Sequence, residues 1–371
     1  MLVGIDASRS VADRPTGTET YSRRLIQALL TLDSPHRFRL YFRTAPPPHL
    51  FEEAERRTIP FPRLWTHLRL SWEMACHRPD LLFVPAHVLP PIRPRLSLVT
   101  VHDLGYLKFP EAHLPRQRLY LDLSTRWNAR AATHVLADSR ATRDDLVAHY
   151  AAPPDKISVA YPGVDRALAP VSDPAVIQAA KTRYSIVGDY FLYLGTLQPR
   201  KNLRRLVDAF AAFLGRKAGG APPALVLAGK RGWLYDELFE QVRRQGLQKS
   251  VSFPGYVPEE DKAALLSGAL AFTFPSLHEG FGLPVLEAQA CGCPVITSTT
   301  SSLPEVAGDA ALLVDPQDTA AIADAMERLA TDTTLPQNLI QRGFANVDRF
   351  SWQACAQTVL EVIDRISIPS R

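Results

Sequence analysis

The chain has 371 residues, 46% of them hydrophobic and 22% charged, with a net charge of +4. That is the composition of an ordinary globular protein, at a length that suggests two domains. It contains no run of eighteen apolar residues, and its 4 cysteines are too few for a disulfide framework. The first residues, MLVGIDASRS, enter a strand directly, without the charged, apolar and small-residue order of a signal sequence, so a cytoplasmic protein is expected.

In chain order, LVGID reads as a strand ending in Asp6, and GTETYSRRLIQALLTL as an amphipathic helix opened by Gly17, Thr18 and Glu19. A helix N-terminus after a strand can bind an anion through its backbone N–H groups, although a single glycine there serves equally well as a plain cap. The strands FRLYF, DLLFVP, LSLVTVHD and THVLADS follow, and a helix begins near Thr142. The third of these ends in His102 and Asp103, where an imidazole either does chemistry at a strand end or is a structural histidine capped by Asp103. Between them, Arg56–Arg69 mixes arginines with Trp65. A solvated helix face with a packed tryptophan is the favoured reading, and a rest for an anionic membrane surface the other. Apolar runs that do not alternate, separated by helices, predict a parallel sheet covered on both faces. Residues 1–165 hold 22 Lys+Arg against 17 Asp+Glu and nine of the ten histidines, so this half favours a polar or anionic partner.

At Pro162-Gly163-Val164-Asp165 the pattern breaks, which predicts a first domain over 1–165, a second over 166–352 and a terminal helix over 353–371. The second α/β series runs through the strand YFLYLGT, the helix NLRRLVDAFAAFL, the strand ALVLAG, the helix LYDELFEQVRRQG, the strand VSFPG and the helix EEDKAALLSG. It closes with ALLVDP, TAAIADAMERLA and SWQACAQTVLEVIDRI. Arg200 and Lys201, between the strand YFLYLG and a helix, oppose that helix's dipole and make better sense beside a strongly negative group such as a diphosphate. Residues 269–298 read as strand, glycine loop, helix and strand. Glu279 stands before the loop Gly280-Phe281-Gly282-Leu283 and Glu287 on the helix, so two carboxylates can reach one elongated polar ligand. Cys291-Gly-Cys293 lies in the following turn, where close packing is expected. No two aspartates stand two apart, and no zinc-protease or P-loop motif occurs.

The Glu-x7-Glu spacing with Gly-Phe-Gly inside it, within GFGLPVLEA, resembles the signature of the retaining glycosyltransferases of family GT4. The resemblance implies an α/β GT-B fold, with two Rossmann-like doubly wound parallel-sheet domains facing across a cleft and the terminal helix crossing back onto the first. It implies a hexosyltransferase drawing on a nucleotide-diphosphate sugar, GDP- or UDP-linked, with no metal and no other cofactor. On this reading Arg200 and Lys201 neutralise the leaving diphosphate and Glu279 orients the sugar with the N–H groups of Phe281–Leu283. Glu287 accepts ribose hydroxyls, His102 acts near the sugar or the acceptor, and Gly17 approaches the donor phosphate. Gly255, Tyr256 and Val257 resemble the loop whose backbone reads the base. Many relatives have Gly-Arg where this chain has Gly195-Thr196, which removes one phosphate donor and leaves more to Arg200. The form PRKN is reminiscent of mannosyltransferases, making GDP-mannose the first choice of donor. The acceptor is expected to be a glycan or lipid-linked species, reached from the cytoplasmic face of a membrane, in polysaccharide or glycolipid assembly. No nucleic acid is expected as a partner. The alternatives are a sugar-nucleotide epimerase or hydrolase of the same fold, or a non-catalytic partner subunit.

Overall fold

Runs rich in aliphatic and aromatic residues set most of the strands, and every pairing among them is parallel. The computed structural model describes residues 1–12, 17–86, 88–110, 114–216, 221–232 and 235–368. They fall into two compact units, Met1–Gly163 with Phe350–Arg371, and Val164–Arg349. Among the described residues no helix is long and apolar enough to cross a membrane.

The first unit is built on β1 (Leu2–Asp6), β2 (Arg37–Phe42), β3 (Glu55–Thr58), β4 (Leu81–Val84), β5 (Leu96–Val101), β6 (His134–Ala137) and β7 (Ile157–Val159). Their order is β3-β2-β1-β4-β5-β6-β7. All residues of β4 and β6 are buried, as strands covered on both faces must be. The helices are α1 (Gly17–Thr31), α2 (Ser71–Cys76), α3 (Gly105–Lys108), α4 (Pro115–Ala131) and α5 (Arg140–Tyr150). Ser139 caps α5, its Oγ accepting from the Thr142 N–H at 3.0 Å.

Arg56–Arg69 departs from the expected helix face. Its start is the edge strand β3, whose charged residues blunt an open sheet edge, and its end is a π-helical turn, Trp65–Leu70, leading into α2. Trp65 is buried, and its indole N–H donates to the Ile59 carbonyl at 2.7 Å, so it is a core residue rather than a surface anchor.

The second unit contains β8 (Tyr190–Leu194), β9 (Ala224–Ala228), β10 (Val251–Gly255), β11 (Ala271–Phe274), β12 (Val295–Ser298) and β13 (Leu312–Val314), in the order β10-β9-β8-β11-β12-β13. Its helices are α6 (Pro174–Arg183), α7 (Leu203–Arg216), α8 (Tyr235–Arg244), α9 (Glu259–Ser267), α10 (Leu283–Ala290), α11 (Leu303–Ala307), α12 (Thr319–Thr331) and α13 (Leu335–Val347). Helix α7 buries Leu203, Leu206, Val207, Phe210 and Phe213, a stripe at helical spacing. Cys291 and Cys293 are free and buried, and burial pushes the Cys291 thiol up to about 12, so they are packing residues.

Helix α14 (Trp352–Ser367) returns to the first unit and packs on α1. Trp352, Ala356, Val359 and Ile363 share one core with Tyr21, Leu25 and Ile26 of α1. The chain leaves this unit beside the point where it returns. A Cβ on Gly163 would lie 2.1 Å from the backbone nitrogen of Trp352, a contact that only glycine avoids.

Candidate functional site

Three adjacent strands of the second unit end in glycine. Gly195, Gly229 and Gly255 follow or close β8, β9 and β10 with φ of 154°, 147° and 85°. They are stitched together by the N–H of Gly195 to the Ala228 carbonyl at 3.0 Å and the N–H of Gly229 to the Gly255 carbonyl at 2.7 Å. A Cβ on Gly229 would sit 1.8 Å from the Gly195 oxygen, so the strand ends form a shelf of backbone without side chains. Beyond it, Val257 is buried, and the exposed Tyr256 ring lies 5.4 Å from the Lys230 ammonium.

The chain then makes a short 3-10 turn, Pro199–Lys201, stopped by Asn202 in the left-handed conformation at φ 61°. The Asn202 amide donates to the carbonyls of Pro275 at 3.1 Å and Pro316 at 2.6 Å, tying the turn to the segments that follow β11 and β13. The Leu277 N–H donates to the Arg200 carbonyl at 2.9 Å. This bracing puts both cations against the buried Glu279. Lys201 Nζ is 2.5 Å from Oε1, and Arg200 Nη1 is 3.0 Å from Oε2 while also donating to the His278 carbonyl. The Lys201 ammonium also lies over the Phe274 ring at 4.7 Å.

Burial alone would raise the Glu279 carboxyl, but the charges of Arg200 and then Lys201, with hydrogen bonding to the carboxylate, hold it down at about 2. The group is ionised throughout the neutral range. Two cations and one carboxylate leave a single net positive charge at this point.

The glycine loop is latched from below. Ser302 Oγ donates to the carbonyls of Glu279 at 2.9 Å and Phe281 at 2.5 Å, and Ser301 Oγ accepts from the Glu279 N–H at 2.9 Å. Gly280 and Phe281 are buried, Gly282 caps α10 at φ 118°, and Leu283 is the first helical residue. Glu287, on the same helix, belongs to a different cluster. Its Oε2 lies 3.1 Å from Lys262 Nζ on α9, which also reaches Glu259 at 2.8 Å. Burial acts to lower the Lys262 ammonium, but Glu287 and Glu259 outweigh it and raise it well above its usual value.

In the first unit His102 follows β5 and Asp138 follows β6. The His102 Nδ1–H donates to Asp138 Oδ2 at 2.6 Å, the Tyr21 ring meets the imidazole edge-on at 4.8 Å, and Thr142 Oγ1 donates to the His102 carbonyl at 3.2 Å. Asp103 instead accepts from the Gly105 N–H at 2.9 Å, so the partner of the histidine is Asp138. Burial would lower the His102 imidazolium, but Asp138 raises it above the ordinary histidine range. Gly17 opens α1 at an exposed position where, among the described residues, a Cβ would meet nothing within 4 Å, and the residues immediately before it lie outside the described ones. Asp6 is buried, its Oδ1 accepting from the Ser8 N–H at 3.0 Å.

Arg200, Lys201 and Glu279 are thus in direct contact, and Glu287 is held apart from them by its own lysine. Reading the sequence missed Lys262, the one cation of its helix segment, and Asp138, which closes the strand ending LAD. It also missed Ser301 and Ser302, a small polar run after β12. Among the described residues no group of three or more His, Cys, Asp or Glu side chains converges as a bound cation would require.

Residues 187–345 match the family model "Glycosyl transferases group 1" and residues 15–168 the model "Glycosyltransferase Family 4". "O-antigen chain mannosyltransferase B" of Escherichia coli is 34% identical over 300 residues, covering 80% of this chain and 77% of that protein. "Serotype-specific mannosyltransferase WbdA" of the same species is 35% identical over 195 residues, 51% of this chain but only 23% of its own length. Among solved structures, sucrose-phosphate synthase from Thermosynechococcus elongatus superposes with a TM-score of 0.78 at 22% identity, covering 100% of this chain and 99% of that one. Anabaena HepE, solved with UDP and glucose, gives 0.75 at 20%, covering 98% and 99%. These structural likenesses concern the fold, two Rossmann-like parallel sheets of the GT-B kind.

Proposed function

Because the chain belongs to the group 1, family 4 glycosyltransferases, we propose that it moves a mannosyl unit from GDP-mannose to an acceptor hydroxyl, with retention and without a metal ion. The observation that carries the reading is the contact of Arg200 and Lys201 with Glu279 beside the glycine shelf. A nucleoside diphosphate entering there meets one net positive charge, backbone that it can approach closely, and the first turn of α10. Glu279 is the resting counter-ion of the two cations. As the diphosphate takes them over, its carboxylate is released toward the sugar, and Glu287, anchored by Lys262, accepts the ribose hydroxyls.

In the chemical step the bond from C1 to the diphosphate oxygen breaks and the bond from C1 to the acceptor oxygen forms on the same face. The acceptor proton passes to the departing diphosphate, so no separate protein base is required. Arg200 and Lys201 stabilise the charge that develops on the leaving group, which replaces the role of a divalent cation. His102, its tautomer fixed by Asp138, serves the reacting sugar or the acceptor. The mannosyltransferase names of the relatives favour GDP-mannose over a UDP-sugar. The cationic first half favours an acceptor bearing a lipid-linked phosphate, in polysaccharide or glycolipid assembly.

Thermal-shift titration with GDP-mannose, UDP-glucose and an ADP-sugar tests the donor, and GDP-mannose alone is expected to stabilise the protein. Stabilisation by UDP-glucose alone would replace the donor, and no response to any of them would sink the reading. In steady-state assays Glu279→Ala should lower turnover more than donor affinity, whereas Glu287→Ala should chiefly weaken donor binding.

A further inference from the structure

The hydrogen bond from the His102 Nδ1–H to Asp138 Oδ2, at 2.6 Å, fixes the tautomer and one atom of the ring. It does not fix the plane. The torsion that turns an imidazole about its stem is broad, so the plane is set by whatever packs against the ring. For His102 that neighbour is Tyr21. The two rings meet edge to face, with centroids 4.8 Å apart and planes at 81°. A contact between two rings has a preferred geometry, which an aliphatic side chain would not impose.

Tyr21 is itself held from two directions. It lies on the second turn of α1 and is 2% exposed, and its hydroxyl shares a hydrogen bond at 3.3 Å with Thr100 Oγ1 on β5, the strand that His102 follows. The same ring meets the Trp352 indole at 5.8 Å, with the planes at 69°. Trp352 is the first residue of α14, and its backbone nitrogen is the atom that a Cβ on Gly163 would meet at 2.1 Å, so its main chain is pinned. Ser351 Oγ caps the helix there, accepting from the Ala354 N–H at 3.1 Å. Cys355, buried in the same core as Tyr21 and Trp352, completes the wall.

Proton exchange is closed to Tyr21. Burial pushes its hydroxyl well above the usual range, with the neighbouring Cys355 and Asp138 adding to the rise, so the phenol stays protonated. What it offers the histidine is shape. Asp138 supplies the charge and tautomer of His102, and Tyr21 the plane.

We propose that Tyr21 is a positioning residue for His102, backed by Trp352, so that the last helix sets the plane of the imidazole through one intervening ring. The use of the histidine rests on the glycosyl-transfer reading, whereas the position of the ring is measured without turnover. Loss of the tyrosine ring leaves a histidine that swings about its bond to Asp138. Such a loss lowers turnover and leaves donor affinity alone.

The test follows the His102 Hε1 resonance of the full chain with isotope-labelled histidine, assigned through His102→Gln. Tyr21→Leu is expected to lose the ring-current displacement of that resonance. Tyr21→Phe keeps the ring and should keep the wild-type resonance, and so should Leu25→Ala, a buried substitution on the same helix and in the same core. With GDP-mannose, read as GDP release, Tyr21→Leu should lower kcat about tenfold at an unchanged KM. Tyr21→Phe should recover most of that loss. Should Tyr21→Leu fold poorly, Trp352→Phe, which keeps a smaller ring in the core, is expected to displace the same resonance part of the way. A resonance unmoved by Tyr21→Leu or by Trp352→Phe, or moved as far by Leu25→Ala, would overturn the proposal. So would a rise in KM in place of the fall in kcat, or a loss of turnover in Leu25→Ala equal to that in Tyr21→Leu. Wild-type protein that releases no GDP from GDP-mannose would strike the donor reading, and the resonances would still decide the position of the ring.

Discussion

On the proposed reading the donor side turns on Glu279, and its charge has a thermodynamic signature. Its folded pKa, at about 2, lies below the ordinary value of 4.5, so the stabilisation it provides is present above pH 4.5 and is lost as pH falls toward 2. Glu279→Gln keeps the shape but deprives the buried Lys201 and the half-buried Arg200 of this counter-ion. The variant is expected to be less stable at pH 7 by on the order of 3 kcal/mol. Its gap to wild type should hold down to about pH 5 and narrow below it. Denaturant titrations at pH 7, 5 and 3.5 check this, and a gap independent of pH would show that Glu279 is not the ionised partner. His102 has the opposite sign. Its pKa is raised from 6.5, so the stability contributed by its charged form is present below pH 6.5 and lost as pH rises through the folded value. Asp138→Asn removes the group that outweighs burial, and the NMR titration of the His102 ring should fall by about a unit or more. An unmoved midpoint would mean that Asp138 does not set the charge of the histidine.

At the scale of elements, the basic turn is only as well placed as Asn202 makes it. Its side chain holds the carbonyls that follow β11 and β13, and its backbone takes a left-handed conformation that asparagine tolerates. Asn202→Ala loses both buried hydrogen bonds and adds strain, an expected cost of about 3 kcal/mol. That is a melting-point drop of roughly 6–12 °C for a unit of this size. Asn202→Gly restores the backbone but not the bonds and should fall between; equal stability of all three proteins would mean the tie is idle. Elements of this kind divide by how they show in sequence. The run YFLYL and the stripe Leu203, Leu206, Val207, Phe210 and Phe213 announce β8 and α7 because burial selected their residues. Strand β3 is ERRT, an exposed edge whose hydrogen bonds come from β2 and leave no apolar pattern to read. Helix α4 is opaque for a different reason, since it buries Thr125, Asn128 and Ala129 while Leu119 and Leu123 stay exposed. The glycine signature was legible as a motif, but the partners that position it were not. Lys262, Asp138 and Ser302 act across tens of residues of chain, at distances that only the fold determines.

For the whole molecule, connectivity makes the two units unequal. Residues 164–349 are continuous, whereas the first unit is completed only by residues 350–371. Without α14, residues 1–163 would expose the apolar face of α1, including Tyr21, Leu25 and Ile26, where Trp352, Val359 and Ile363 now pack. Burial of this kind contributes about 25 cal/mol per Å², and losing a helix-sized face exceeds the whole stability of a typical domain. The fragment 164–349 is therefore expected to unfold cooperatively on its own, and the fragment 1–163 to be insoluble or molten. The remedy follows from where the chain ends lie. Ser367 Oγ is 2.9 Å from the Met1 sulfur and His36 pairs with Asp364 at 2.8 Å, so the end of α14 sits beside the start of β1. A permuted chain with residues 350–371 placed ahead of 1–163 through a short flexible linker should recover a cooperative melt. If residues 1–163 melt as sharply as the permuted chain, α14 is a passenger on this unit. If neither melts cooperatively, the first unit needs the second to fold.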